Sequence, residues 1–541
     1  MKKHEPRIRK KRRNSTDQSA ERDFVQLPRR QIVLTMLGVM SAVFLAMVSQ
    51  TVVATAMPRI VADLGGFDRY TWVAAAYLIA STVAIPIAGR LTDIYARKGF
   101  LVLGLVVFIV GSVAAGFSQS MDQLIAARAF QGIGGGILMT MSLRSIPDLF
   151  PPRQRGRFQG LIALVFGMAS VIGPGLGGFI TDQLSWNWVF LVNLPAGVPV
   201  LLLVMRTFPN IRPVAGDRKL DYPGMMALVL SVVPVMLALS WAGNQYDWAS
   251  PQVMGLLGFG LAMAGLFVVV ESRSDSPIMP LEIYRNRMVS ISALVAFVTG
   301  FGLYGSIIFL PLFFQAVLGA SATGSGGFLT PMLLGIVVGS ILAGRRLSRS
   351  GGQYRRQGLA TTGCMAVGMI LISAMTGSTS FGAAVGYIVI MGLGVGGTLA
   401  TFAVAVQNSV SARVMGTATS ALHFFRLIGG TTGLALLGAL LRHRFSLRVE
   451  ETVSATTRAA LPPGRLDAIT DNPRALIDPS AIDELRSGLS GAGADTAALA
   501  DTLLSDLNSA LSAAVGDVFT VSAAVMAGAV AITLFLKRSP V

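Results

Sequence analysis

Charge is scarce in this chain. Only 13% of its residues are Asp, Glu, Lys or Arg, whereas a soluble domain carries roughly a quarter. Acids are rarest, 27 Asp and Glu against 44 Lys and Arg, and there are three histidines. The single cysteine, Cys364, excludes an intrachain disulfide and a thiolate metal cluster. It lies in an apolar run and reads as a small core residue. No GxxxxGK[ST] loop cradles ATP, no pair of carboxylates is placed for acid–base work, and no cluster of metal ligands is present. Nothing therefore points to an enzyme, a metal or a cofactor. A cleavable signal is missing too. "KKHEPRIRKKRRNSTDQSAERDF" is polar and basic, with no short apolar segment before a small-residue cleavage site.

What the chain has instead is hydrophobicity. It is 541 residues long and 53% hydrophobic, with a mean hydropathy of +0.64. Apolar runs of about 20 residues recur from end to end, long enough at 1.5 Å per residue to span a bilayer core of about 30 Å. The fold class is an all-α polytopic membrane protein. Windows of about 19 residues predict fourteen transmembrane helices near 32–56, 70–89, 100–118, 122–146, 158–181, 187–206, 222–242, 252–271, 289–311, 323–344, 357–376, 381–407, 415–441 and 515–537.

The net charge of +17 sits mostly in the first 31 residues and in short loops, so it marks sidedness rather than nucleic-acid binding. Alternate loops carry Arg90, Arg97 and Lys98; Arg153, Arg155 and Arg157; Arg212, Arg218 and Lys219; Arg273, Arg285 and Arg287; Arg345 to Arg356; then Arg413. The short loops between them are nearly free of basic residues. The positive-inside rule then predicts that both termini are cytoplasmic. Residues 442–514 form one long extracytoplasmic segment, expected to hold one or two short surface helices and to act as a solvated cap or as a partner or substrate contact.

Four stretches interrupt the hydrophobicity. In "FLAMVSQTVVATAMP" (44–58), Ser49, Gln50 and Thr51 bring polarity without charge, which a bilayer tolerates only when it faces a partner, a cavity or a substrate. In "GRLTDIYARK" (89–98), Gly89 permits close helix approach. Asp93 and Arg97 are four apart and face each other if the segment is helical. In "RAFQGIGGG" (128–136), Arg128 is costly in hydrocarbon and should face the interior or water, while Gly132, Gly134, Gly135 and Gly136 suit close packing. In "GMASVIGPGLGG" (167–178), Gly173-Pro174 predicts a mid-span kink, with Gly177 and Gly178 allowing a tight crossing.

His423 and Arg426, three residues apart, share a face of the thirteenth helix. Arg426 falls about 16 Å along it, near the midplane. An arginine at that depth either anchors the fold or works directly on a substrate or coupling ion. His423 either titrates near neutral pH in a coupling role or makes neutral hydrogen bonds.

In order and spacing, "GRLTDIYARK", "RAFQGIGGG" and "GMASVIGPGLGG" resemble the motifs of the major facilitator superfamily. "WNWVFLVNLPAG" (186–197), "TVVATAMPRI", "AVQNSV" (405–410) and "FFRLIGG" (424–430) resemble its fourteen-helix drug:proton antiporter branch, of multidrug efflux type. The resemblance covers residues 32 to 441 plus the last helix. It implies two six-helix bundles related by a pseudo-twofold axis, with the seventh and eighth helices inserted between them and alternating access around a midplane cavity.

Mapped onto the chain, it implies a basic tail at 1–31, an N-terminal bundle at 32–206, an inserted pair at 207–288 and a C-terminal bundle at 289–541. It places Asp93 at the cytoplasmic N-terminus of the thirteenth helix, with Gly89, Arg97 and Lys98 completing an inner gate. It makes Arg128 a proton-relay residue and Gly173-Pro174 the antiporter bend; His423, by its position alone, is the second relay candidate. Ser49, Gln50, Thr51, Gln131, Asn193, Gln407, Asn408 and Arg426 are candidate cavity residues. Two departures stand out. Asn187 replaces the arginine usual between the tryptophans, and Ser49 stands where the branch has an aspartate in the first helix. With no Asp or Glu well inside a span, coupling needs another carrier.

The first reading is an exporter of hydrophobic or amphipathic small molecules, driven by proton antiport. Its partners would be that substrate, membrane lipids and protons, and it would be a monomer in a bacterial inner membrane. The alternatives are a transporter of lipids or lipid-like metabolites, with Arg426 on an anionic head group, and a transport-inactive scaffold or receptor working through 442–514.

Overall fold

A computed structural model describes residues 27–65, 69–211, 220–243, 245–316, 322–350, 352–376, 379–453 and 496–536. Most of the basic tail, the basic loop residues Arg212, Arg218 and Lys219, and residues 454–495 of the long segment lie outside the described residues.

Every predicted apolar run is a helix. The first is Arg29–Thr51, continued by Val53–Leu64; the second is Tyr70–Ile94, the third Arg97–Gly116, the fourth Met121–Leu149 and the fifth Pro152–Gln183. The sixth comprises Trp188–Leu191 and Asn193–Thr207; the seventh is Tyr222–Trp241 and the eighth Pro251–Arg273. The remaining six are Arg287–Ala316, Tyr354–Ser373 and Phe381–Ser409 as ninth, eleventh and twelfth, Ala322–Ser350 as tenth, Met415–Thr452 as thirteenth and Thr496–Leu534 as fourteenth. Among the described residues, thirteen helices are long and apolar enough to cross a membrane. The eleventh is 20 residues long but opens with Arg355, Arg356 and Gln357, which lowers its hydropathy. Ser120, Asp221, Ser250 and Ser380 cap the fourth, seventh, eighth and twelfth helices through their side-chain oxygens.

Packing repeats with an offset of eight helices. The second packs on the fourth as the tenth does on the twelfth, the third on the sixth as the eleventh on the fourteenth, and the first on the fifth as the ninth on the thirteenth. The two bundles meet along matching seams, fifth against tenth and second against thirteenth. This is the internal repeat expected of a two-bundle transporter. Glycines set the close crossings at equivalent places. A Cβ on Gly136 would lie 2.6 Å from the Ser81 carbonyl oxygen, and one on Gly396 would strike the Ile336 carbonyl. The seventh and eighth helices pack chiefly on each other, with the seventh also touching the second and thirteenth. Glu271 ends that pair, its carboxylate accepting from the Ile278 and Met279 amides at 3.1 Å each.

The short surface helices expected within 442–514 would fall at 454–495, outside the described residues. The thirteenth helix runs on to Thr452 and the fourteenth starts at Thr496, so 442–452 and 496–514 extend long helices. At 38 and 39 residues they are about 57 Å long, nearly twice a bilayer core. Two expectations are corrected. Asp93 and Arg97 do not share a helical face. The second helix stops at Ile94, and Tyr95 is extended at φ −107°, ψ 161°, which turns the chain before the third helix begins. Gly178 serves no crossing, because a Cβ there would meet nothing within 4 Å.

Candidate functional site

At the basic-loop end, the second helix delivers Asp93 to the start of the thirteenth. Its carboxylate accepts from the Gly416 amide at 3.1 Å, and from the Thr417 amide and hydroxyl at 2.9 Å each. These amides are orphans of a helix N-terminus, where the dipole also favours an anion. Gly89 makes the approach possible, since any Cβ there would strike the Ser420 side chain. Behind Asp93 the charges alternate. Arg144 stands 3.8 Å from Asp93 and 3.7 Å from Asp148, and Arg97 stands 2.9 Å from Asp148. None of these four side chains is more than 8% exposed, so screening by solvent is weak. Lys98 is half-buried and makes no ion pair among the described residues.

The other seam is tied at the same end. Arg155 of the fifth helix donates to Asn408 of the twelfth at 3.0 Å, and Asn408 donates to the Tyr354 hydroxyl of the eleventh at 2.9 Å. Asn408, a cavity candidate from the sequence, is therefore a cross-bundle bridge.

A second cluster lies within the N-terminal bundle. Arg128 is 1% exposed. Its Nη1 donates to Gln131 Oε1 at 2.6 Å and to Ser49 Oγ at 3.3 Å, and its Nε donates to the Val73 carbonyl at 3.3 Å. Gln131 donates to the same Ser49 oxygen at 3.0 Å. The guanidinium carbon lies 4.4 Å from the Tyr77 ring centre and 5.8 Å from that of Phe190, close enough for cation–π attraction. Tyr77 is held in turn by its hydroxyl on the Ala46 carbonyl. Gly132 and Gly135 allow this, because a Cβ on either would strike Tyr77. Arg128 thus has acceptors and two aromatic faces, and no carboxylate within 4.0 Å among the described residues.

The other polar candidates of this bundle join helices to one another. Thr51 donates to the Ala169 carbonyl at 3.0 Å, facing Gly173 at the crossing of the first and fifth helices. Gly177 makes the next contact of that crossing, against Thr55 and Val52. Pro174 is exposed within a helix that continues unbroken from Pro152 to Gln183. Asn193 donates to Ser112 at 2.9 Å, and Asn187 to the Gly116 carbonyl at 2.9 Å, where the resemblance expected an arginine. Gln50 is half-buried and makes no hydrogen bond among the described residues.

Between the bundles lies a cavity of about 100 Å³. Its lining is apolar on the fourth, fifth, ninth, tenth and twelfth helices. The exceptions are Gln159, Tyr304, Thr419, His423 and Arg426. Among the described residues Arg426 is the only charged one in the lining, and its Nε has no hydrogen-bond partner. Gly300 and Gly429 fix its position, since Cβ atoms on them would strike the Arg426 and Phe297 carbonyls and so the ninth and thirteenth backbones touch. Gln407 is buried away from this cavity, with both amide atoms unpaired.

Several of these residues were not singled out by the sequence reading. Arg144 and Asp148 form an i,i+4 pair at the end of the fourth helix, and a buried-pair signal was available in "SLRSIPDLF". Tyr77, Tyr304 and Gln159 carry no sequence signal that separates them from ordinary span residues.

Two bundles of six helices that repeat with the same topology, an inserted pair and a cavity between the bundles define a polytopic membrane transporter fold. The family model of the Major Facilitator Superfamily matches residues 39–434, and the chain belongs to that family. It is 39% identical over 418 residues to the multidrug transporter protein MdtP of Bacillus subtilis, covering 77% of this chain and 76% of that one. It is 38% identical over 424 residues to Multidrug resistance protein 3 of the same organism, covering 78% and 82%. Among solved structures, the human organic anion transporter MFSD10 aligns with a TM-score of 0.58 at 13% identity, covering 93% of this chain and 100% of that one. The proton:xylose symporter XylE aligns at 0.52 and 11%, covering 78% and 91%. At such identities these likenesses speak to the fold alone.

Proposed function

We propose that this protein exports hydrophobic or amphipathic small molecules by alternating access of its two bundles, driven by proton antiport. The observation that carries the reading is the tie across the bundle seam: Asp93 of one bundle holds the first amides of the thirteenth helix in the other. Such a contact is made in one bundle arrangement and lost in the other, which is what a gate requires. The positive-inside pattern supports a cytoplasmic location for this end, and on that reading the Asp93 tie closes the cytoplasmic side. The multidrug names of the Bacillus relatives support export of small molecules, and the apolar lining of the cavity suits amphipathic solutes.

We assign coupling to protons to His423, the imidazole that lines the cavity one helical turn from Arg426. Arg128 has a lesser claim, because its hydrogen bonds are spent within one bundle. The test is proton movement in proteoliposomes, followed with a pH-sensitive dye while lipophilic cations, neutral drugs and lipid-like anions are added. Substrate-dependent proton flux is expected, and it should be lost in His423→Gln. Solute flux without proton movement would refute antiport, and no flux of any solute would refute export.

A further inference from the structure

The cavity beside Arg426 holds more hydrogen-bond donors than the protein satisfies. Three side chains in its lining, Arg426 through Nε, Gln159 through Nε2 and Thr419 through Oγ1, are buried without a partner. No Asp or Glu lines the cavity, and none lies within 4.0 Å of Arg426 among the described residues. Burying an uncompensated cation and several bare donors is unfavourable, so such groups ordinarily have partners. The same chain shows how it satisfies a buried guanidinium internally, at Arg128. The Nε of Arg426 has no such partner, although the backbone there is pinned by Gly300 and Gly429.

We propose that this cavity receives the anionic oxygen head group of an amphiphile, a carboxylate, sulfonate or phosphate ester. Arg426 supplies the charge, while Gln159 and Thr419 supply neutral hydrogen bonds. This rests on the export reading and names its substrate class. The cavity, about 100 Å³, is of a size for a head group, and Ile162, Phe166 and Ile336 of its lining offer apolar contact to the start of the body. Gln159 belongs to the N-terminal bundle, and Thr419 and Arg426 to the C-terminal one. A single anion held by all three therefore touches both moving bodies, so its binding energy acts on the bundle equilibrium. A lipophilic cation in the same place would meet like charge.

The test uses the purified full-length protein and two probes differing only in charge, 11-(dansylamino)undecanoic acid and its methyl ester. Binding is read as energy transfer from the protein's tryptophans to dansyl, which reports only bound probe. The acid is expected to bind at least tenfold tighter than the ester. Arg426→Gln should reduce that preference to less than threefold, whereas Arg426→Lys should keep most of it. Thr419→Val and Gln159→Leu should each weaken the acid severalfold and leave the ester unchanged, which keeps the test open if an Arg426 variant fails to fold. Equal affinity of the two probes in the wild type, or a preference that survives Arg426→Gln, would overturn the proposal. Displacement of the acid by phosphatidylglycerol but not phosphatidylcholine would identify the head group as a lipid's. Displacement by decanoate alone would identify a free amphiphile. Failure of the export reading would show separately, as wild-type proteoliposomes that move neither probe nor any drug.

Discussion

Arg128 and Arg426 are arginines in the two halves of one molecule, and they have opposite surroundings. Arg128 donates to Ser49, Gln131 and the Val73 carbonyl and lies over the Tyr77 ring. Arg426 borders a cavity and leaves its Nε unpaired. The first arginine holds four helices of one bundle together, and the second faces the space between bundles. Charge in a membrane span is thus not one kind of signal. What separates a strut from a binding group is whether the chain itself completes the hydrogen bonds.

That contrast can be broken by making the same substitution at both places. Methionine keeps the length of the stem and removes the charge. Arg128→Met leaves Gln131 Oε1 buried without its donor and strips Ser49 of one of its two, at a cost of about 1.5–3 kcal/mol for each hydrogen bond to the charge, and should lower the melting temperature in detergent markedly. Arg426→Met removes an uncompensated cation and should leave the melting temperature unchanged or raise it while altering which solutes are moved. Equal destabilisation by the two variants would erase the distinction.

A smaller effect is expected from glycines. Gly132→Ala drives a methyl into the Tyr77 backbone behind Arg128 and should cost about 1–3 kcal/mol as overpacking. Gly178→Ala meets open space and should cost less than about 1 kcal/mol, any gain coming from helix propensity. Thermal unfolding of the two variants side by side reads the difference. Ser49→Asp sharpens the comparison further by placing a carboxylate beside Arg128. It should not lower stability, because the cation is already buried and gains a partner, and it should extend transport towards lipophilic cations. A drop in melting temperature, with no new cation transported, would contradict that view of the pocket.

The helices were legible because hydrophobic length is a direct consequence of bilayer thickness. Legibility failed where polarity and helicity part company. Residues 442–452, "RHRFSLRVEET", are charged and yet continue the thirteenth helix, which a hydropathy window cannot see. It failed again where one backbone residue decides the geometry. Tyr95 turns the chain, so Arg97 meets Asp148 of the fourth helix rather than Asp93, four residues back. Pairings between distant segments were out of reach by spacing alone. Asp93 on the Gly416 and Thr417 amides came from family resemblance, and Arg155 on Asn408 from neither source.

The central claim is that Asp93 holds the two bundles together at the basic-loop end. It is tested most directly by the distance between them. Removing the lone cysteine with Cys364→Ala gives a background in which spin labels can be placed at Gly99 and Arg413, exposed positions on opposite bundles at that end, and read by double electron–electron resonance. The wild-type background should give a single short distance, and Asp93→Asn should shift it to a longer, broader distribution while abolishing solute flux. A distribution in Asp93→Asn that superimposes on the wild type would contradict the account.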